Sequence, residues 1–174
     1  MSNDPSPLAE SASSSFQNLQ NAAEMLNSVS DELGKSITRI DDSLRKLNLG
    51  IAVWLSVMDW DNTREGGDDF WAEEIGYAKF NGKWGLCLRR REGTYSNPDN
   101  ESIEVWAFND APRMQRVESL DKITELLQKL NDEAAKVTKR VQARLADVQV
   151  VANALSTPRL RPRPVTANSD GGAK

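Results

Sequence analysis

Tryptophan and arginine carry most of the chemistry this sequence offers. Trp54, Trp60, Trp71, Trp84 and Trp106 all fall between positions 51 and 108, and Arg89, Arg90 and Arg91 fall among them. Indole faces beside guanidinium groups are what stacking recognition of a nucleobase or nucleotide uses. A ligand site for a nucleotide-like anion is therefore drawn on Trp60, Trp71, Trp84, Arg89, Arg90 and Arg91. The plainer use of the same aromatics is to give a small sheet its core, because each ring buries a large area. A second basic set, Arg159, Arg161 and Arg163, alternates with prolines in the C-terminal tail. Such a segment has no apolar anchor with which to fold, so it reads as an extended arm available to a partner.

Other candidate chemistry is thin. The chain has no histidine, which removes the commonest general base and the commonest transition-metal ligand together. Cys87 has arginines nearby that could activate a thiol, yet no histidine or second cysteine accompanies it. A buried structural thiol is the expectation. The acidic loop Asp59 to Asp69 resembles a calcium loop faintly, but Arg64 stands where the glycine should be and Phe70 where the glutamate should be. Glu73 and Glu74 are adjacent, so on a strand they face opposite ways and cannot act as an acid–base pair. No phosphate-binding glycine loop, nucleophile elbow or metal spacing appears. The expectation is a protein that is not an enzyme, with no cofactor and no metal.

The elements that must position these residues are two long helices and a compact β unit. Leu120, Ile123, Leu127, Leu130, Ala134, Val137, Val141, Arg144, Val148, Val151 and Leu155 recur at alternating steps of three and four, a heptad stripe broken only by Arg144. Phe16, Leu19, Ala23, Leu26, Ser30, Leu33, Ile37, Ile40, Leu44 and Leu47 form a second stripe. The fold class predicted is α+β, with two long antiparallel coiled-coil helices flanking a small four-stranded antiparallel β unit. Folding the arms together sets Leu44 against Ile123, Leu33 against Ala134, Leu26 against Val141 and Leu19 against Val148. Ala23 then leaves room for Arg144. Apolar residues beside the stripes, Ala22 and Val29 on one arm and Leu126, Leu145 and Ala152 on the other, are assigned to contact with another subunit.

In chain order, residues 1–14 are predicted disordered and 15–156 form one domain, with a helix arm over 15–48, the β unit over 51–108 and a helix arm over 119–156. Residues 157–174 are a disordered Pro/Arg-rich tail. Ser13, Ser14 or Ser15 is expected to cap the first helix, Gly50 to stop it, and Ser119 to cap the second. Asp31 with Lys35 and Asp41 with Arg45 are acid-before-base pairs one turn apart. Asn81-Gly82 between two β-prone runs predicts a type I′ hairpin with Phe80 opposite Lys83, Tyr77 opposite Leu86 and Ile75 opposite Leu88. One face is then bulky (Ile75, Tyr77, Trp84, Leu86, Leu88) and the other small (Gly76, Ala78, Gly85, Cys87), open to a close neighbour or a flat ligand. Glu92 to Glu101 reads as a loop, and Ser102 to Phe108 as the fourth strand.

An apolar fraction of 39% and a charged fraction of 28% suit long helices that wet much of their circumference. The formal charge of −4 argues against a nucleic-acid surface over the whole molecule. A lone cysteine, with no leader and no membrane-length apolar run, points to the cytoplasm and away from a membrane. The order helix, two hairpins' worth of strands, helix resembles the layout of prefoldin. The leading expectation is a non-enzymatic, oligomeric coiled-coil adaptor: it self-associates, most simply as a dimer, and it holds a protein partner through the β unit or tail. The alternative is the module that captures a nucleotide-like anion. The prefoldin resemblance implies a third, a holding chaperone working through arm tips near Phe16 and Leu155.

Overall fold

A computed structural model describes residues 7–156. The order of elements is α1 (Pro7–Lys46), β1 (Val53–Asp61), β2 (Asp69–Phe80), β3 (Lys83–Thr94), β4 (Asn97–Ala107), the short helix α2 (Arg113–Glu118) and α3 (Ile123–Ser156). The fold is α+β: four antiparallel strands in the order β1-β2-β3-β4, with a long helix on each side of them in the chain. The chain divides after Ala134 into two units.

The β2–β3 hairpin has the predicted turn and register. Asn81 and Gly82 take φ of 47° and 80°, as a type I′ turn requires, and Phe80, Tyr77 and Ile75 face Lys83, Leu86 and Leu88. The bulky row enters the core. Val53, Leu55, Ile75, Tyr77, Leu86 and Leu88 meet Ile37 and Leu44 of α1, Leu126 and Leu130 of α3, and Phe108. Trp84 and Trp106 pack against this cluster, and the Trp84 ring stacks on Tyr77 with centroids 5.7 Å apart. The small row is filled by the chain itself. The Trp54 ring lies over Gly76, where an added Cβ would come within 2.4 Å of it, and Asp41 and Arg45 close on Gly85.

That last approach moors α1. Strand β3 ends its pairing with β4 at Cys87, opposite Ala107, which leaves the backbone before it open on that side. Asp41 accepts the Leu86 N–H at 2.8 Å, and Arg45 Nε donates to the Trp84 carbonyl at 2.7 Å. The two side chains pair with each other at 2.5 Å, so they stand in for a missing strand. On the opposite edge Lys129 donates to the Trp54 carbonyl at 3.0 Å. Asp31 and Lys35, by contrast, form no ion pair among the described residues.

Several boundaries differ from expectation. Helix α1 begins at Pro7, so residues 7–14 are helical and Ser13 to Ser15 lie inside the helix. Proline is favoured in a first turn, where its missing N–H has no helical partner to lose. Asn48, at φ 47°, follows the end of the helix in left-handed backbone, two residues ahead of Gly50. Strand β1 runs on to Asp61, taking Asp59 and Trp60 out of the loop. The expected loop from Glu92 is mostly strand, turning at Tyr95-Ser96, because Asp68 accepts the Tyr95 N–H on its carbonyl at 2.9 Å and the Ser96 N–H on its carboxylate at 2.9 Å. Phe108 leaves the sheet to open a 3-10 turn, in which it is the buried residue. Ser119 caps nothing; its hydroxyl donates to the Arg116 carbonyl, and residues 113–118 are already helical.

The helix stripes are covered only near the sheet. On α1, Ile37 and Leu44 are buried, with Leu33 and Ile40 packed beside them, whereas Phe16, Leu19 and Leu26 are exposed. On α3, Leu130 is buried, with Leu120 and Ile123 of the same stripe packed against the core, but Leu126 is buried in place of Leu127, which is exposed. Leu126 is fully enclosed by the chain's own core, which removes it from any subunit contact. From Ala135 onward α3 forms the second unit, and Val141, Leu145, Val148, Val151 and Leu155 along it are exposed.

Two glycines separate packing from tolerance. A Cβ on Gly34 would touch Asn109 at an ordinary 3.5 Å, so Gly34→Ala should raise stability by up to about 1 kcal/mol through helix propensity. At Gly76 the same methyl meets the Trp54 ring and the Val53 carbonyl, and Gly76→Ala should lower it by about 1–3 kcal/mol. Urea denaturation of both variants checks the opposite signs.

Candidate functional site

Consecutive strand residues face opposite ways, and this divides the arginine run. Arg89 and Arg91 lie on the face that carries Trp54 and Phe70, while Arg90 lies on the other with Trp71. Arg89 sits 4.1 Å from the Trp54 ring centre, in a tight cation–π contact, and pairs with Glu74. Arg91 pairs with Glu101 at 2.5 Å and lies 3.9 Å from Glu74. The Glu101 carboxylate holds the Arg91 proton more firmly than usual. Arg90 reaches Glu92 at 3.5 Å and the Trp71 ring at 5.8 Å.

Of the six residues assigned to an anion site, Trp60 and Trp71 face each other across β1 and β2, and Trp60 is half exposed. Trp84 stacks on Tyr77 against the core, away from the arginine run. The six do not converge on one ligand, and each of the three guanidinium groups already faces a carboxylate. Sheet arginines of this kind bind internal acids first, so an incoming anion must displace a charge-assisted bond to gain one. The tail residues Arg159, Arg161 and Arg163 lie outside the described residues. Ala22, Val29, Leu145 and Ala152 are all exposed.

The acidic segment uses its oxygens on its own backbone. Asp61 accepts the Thr63 N–H at 3.0 Å and its hydroxyl at 2.5 Å, and Asn62 exchanges two hydrogen bonds with Asp69. Bonds from Thr63 hold the Asp61 carboxyl below its ordinary value, and bonds from Ser96 do the same for Asp68. Among the described residues no group of three or more histidine, cysteine, aspartate or glutamate side chains is arranged to hold a metal ion. No described helix is long and apolar enough to cross a membrane.

A third set of cations escaped the sequence reading. Lys35 and Arg39 on α1 and Arg116 on α2 line one open groove of about 570 Å³, together with Asp31, Thr38 and Asn109. Lys35 and Arg39 stand one helical turn apart, which was legible; that Arg116 joins them depends on how α2 docks. Arg113 fixes that docking by donating to Asn27 at 2.9 Å, and the buried Gln115 donates to the Arg89 carbonyl at 3.4 Å.

No family model, curated protein or solved structure matches this chain.

Cys87 is 2% exposed, and burial pushes its thiol up from 9.0 to about 11, so it is a packed thiol and no nucleophile at neutral pH. The folded chain keeps a proton that the unfolded chain releases, and the stability this contributes is complete below pH 9.0 and lost as pH rises toward 11. Burial raises Tyr77 in the same sense. Denaturation at about pH 8 and about pH 11 should show a loss on the order of 2 kcal/mol that Cys87→Ala removes.

Proposed function

We propose that this is a non-enzymatic assembly protein that joins copies of itself through its helical arms and presents the β unit to a protein partner. The observation that carries this reading is the pattern of exposure along two helices. Phe16, Leu19 and Leu26 on α1 are 61%, 64% and 51% exposed, and Val141, Val148 and Val151 on α3 are 60%, 62% and 58% exposed. Each set follows heptad spacing, and isolated helices without a packed face are marginal in water. Apolar stripes of this length belong at contacts with other helices. The coiled coil is completed between chains, most simply in a dimer whose four arms form a bundle. Val29 and Leu145 widen the stripes toward that bundle. A reducing cytoplasm suits the single unpaired thiol.

The internal pairing of Arg89, Arg90 and Arg91 weighs against nucleotide capture on the sheet as the main activity. The assembly reading is tested by light scattering on the full chain. The mass should be at least twice the 19.3 kDa of one chain. Leu19→Asp with Leu26→Asp, and separately Val141→Asp with Val148→Asp, should return it to one chain while the β unit stays folded. A wild-type mass of one chain overturns the proposal.

A further inference from the structure

We propose that the groove between α1 and α2 binds the phosphate group of a small molecule through Lys35, Arg39 and Arg116. Three observations converge there. First, the groove holds three cations against one carboxylate, Asp31, and none of the three cations forms an ion pair among the described residues. The arginines of β3 differ, since Arg89, Arg90 and Arg91 all have carboxylate partners. Second, the Arg116 Nε is buried and has no acceptor. A charged donor withdrawn from water and left unmatched costs stability, and turning the guanidinium toward an oxyanion in the groove would restore the missing bond. Third, the neutral side chains of Thr38 and Asn109 are already committed as scaffold. Asn109 donates to the Gly34 carbonyl at 3.2 Å and to the Thr38 hydroxyl at 3.1 Å, and Thr38 donates to Gly34 at 2.9 Å. Those bonds hold the wall on which Lys35 and Arg39 stand, one turn apart.

The excess of positive charge in the groove suits a dianion, and guanidinium groups match the oxygens of phosphate with paired donors. A volume of about 570 Å³ lies in the range of small-molecule sites. The chain as a whole carries a charge of −4, which repels an extended polyanion and leaves a compact ligand as the one a local cluster can hold. This site lies farther along α1 than the exposed Phe16, Leu19 and Leu26, and it stands or falls independently of the assembly reading.

The test is an amide-spectrum titration of the full chain with inorganic phosphate and then pyrophosphate, at constant ionic strength. Saturable shifts are expected at Gly34, Asn109 and Arg116. Arg116→Gln and, on the exposed side of the groove, Arg39→Gln should each weaken binding about tenfold or more, and Arg90→Gln should leave it unchanged. Arg39 is exposed, so that variant keeps the fold even where Arg116→Gln disturbs it. Shifts that never saturate overturn the proposal. So does binding that survives Arg39→Gln but is lost when Arg159, Arg161 and Arg163 are replaced by glutamine.

Discussion

The open backbone of β3 beyond its pairing with β4 is the constraint on which the rest of the structure depends. A strand edge with unmatched N–H and carbonyl groups invites another strand. Here Asp41 and Arg45 occupy it, and Gly85 makes the approach possible because a side chain there would meet both at about 3.0 Å. Burial pushes the Asp41 carboxyl up, while the Leu86 N–H and Arg45 pull it back toward the charged form. With α1 moored at this point, Ile37 and Leu44 fall onto the sheet's apolar face and the core closes with Leu126 and Leu130 of α3. Among the described residues the first half of α1 has no such cover, and Phe16, Leu19 and Leu26 are exposed there.

Charge is distributed by the same logic. The sheet neutralises its own arginines, so Glu74 and Glu101 act as structural counterions and the aromatic rings beside them pack against guanidinium groups. Residues that look like a binding constellation along the chain are, in space, cross-strand pairs. Lys35, Arg39 and Arg116, where α2 meets α1, have no such counterion among the described residues.

How much of this was legible follows from which signals are local. The Asn81-Gly82 turn needs positive φ at both residues, few other pairs supply it, and the register of twelve strand positions on each side follows from that one turn. The helices were legible as periodic stripes, and Leu33, Ile37, Ile40 and Leu44 do face the core. Periodicity reports that a face is apolar and leaves open what covers it. A sheet covers α1 near its end, and Leu126 in place of Leu127 turns inward on α3. The Tyr95-Ser96 turn was hidden because the acid that stabilises it, Asp68, comes from a distant loop. Arg116 was hidden for the same reason, since its position is set by contacts from Arg113 and Gln115 to other elements.

Amide hydrogen exchange at Leu86 tests the mooring of α1 most directly. The account predicts that this N–H exchanges as slowly as its neighbours in the β2–β3 ladder, and that Asp41→Ala frees it while the ladder itself stays protected. Rapid exchange at Leu86 in the unaltered chain would contradict it, because the strand edge would then be open to water and α1 would have no fixed seat on the sheet.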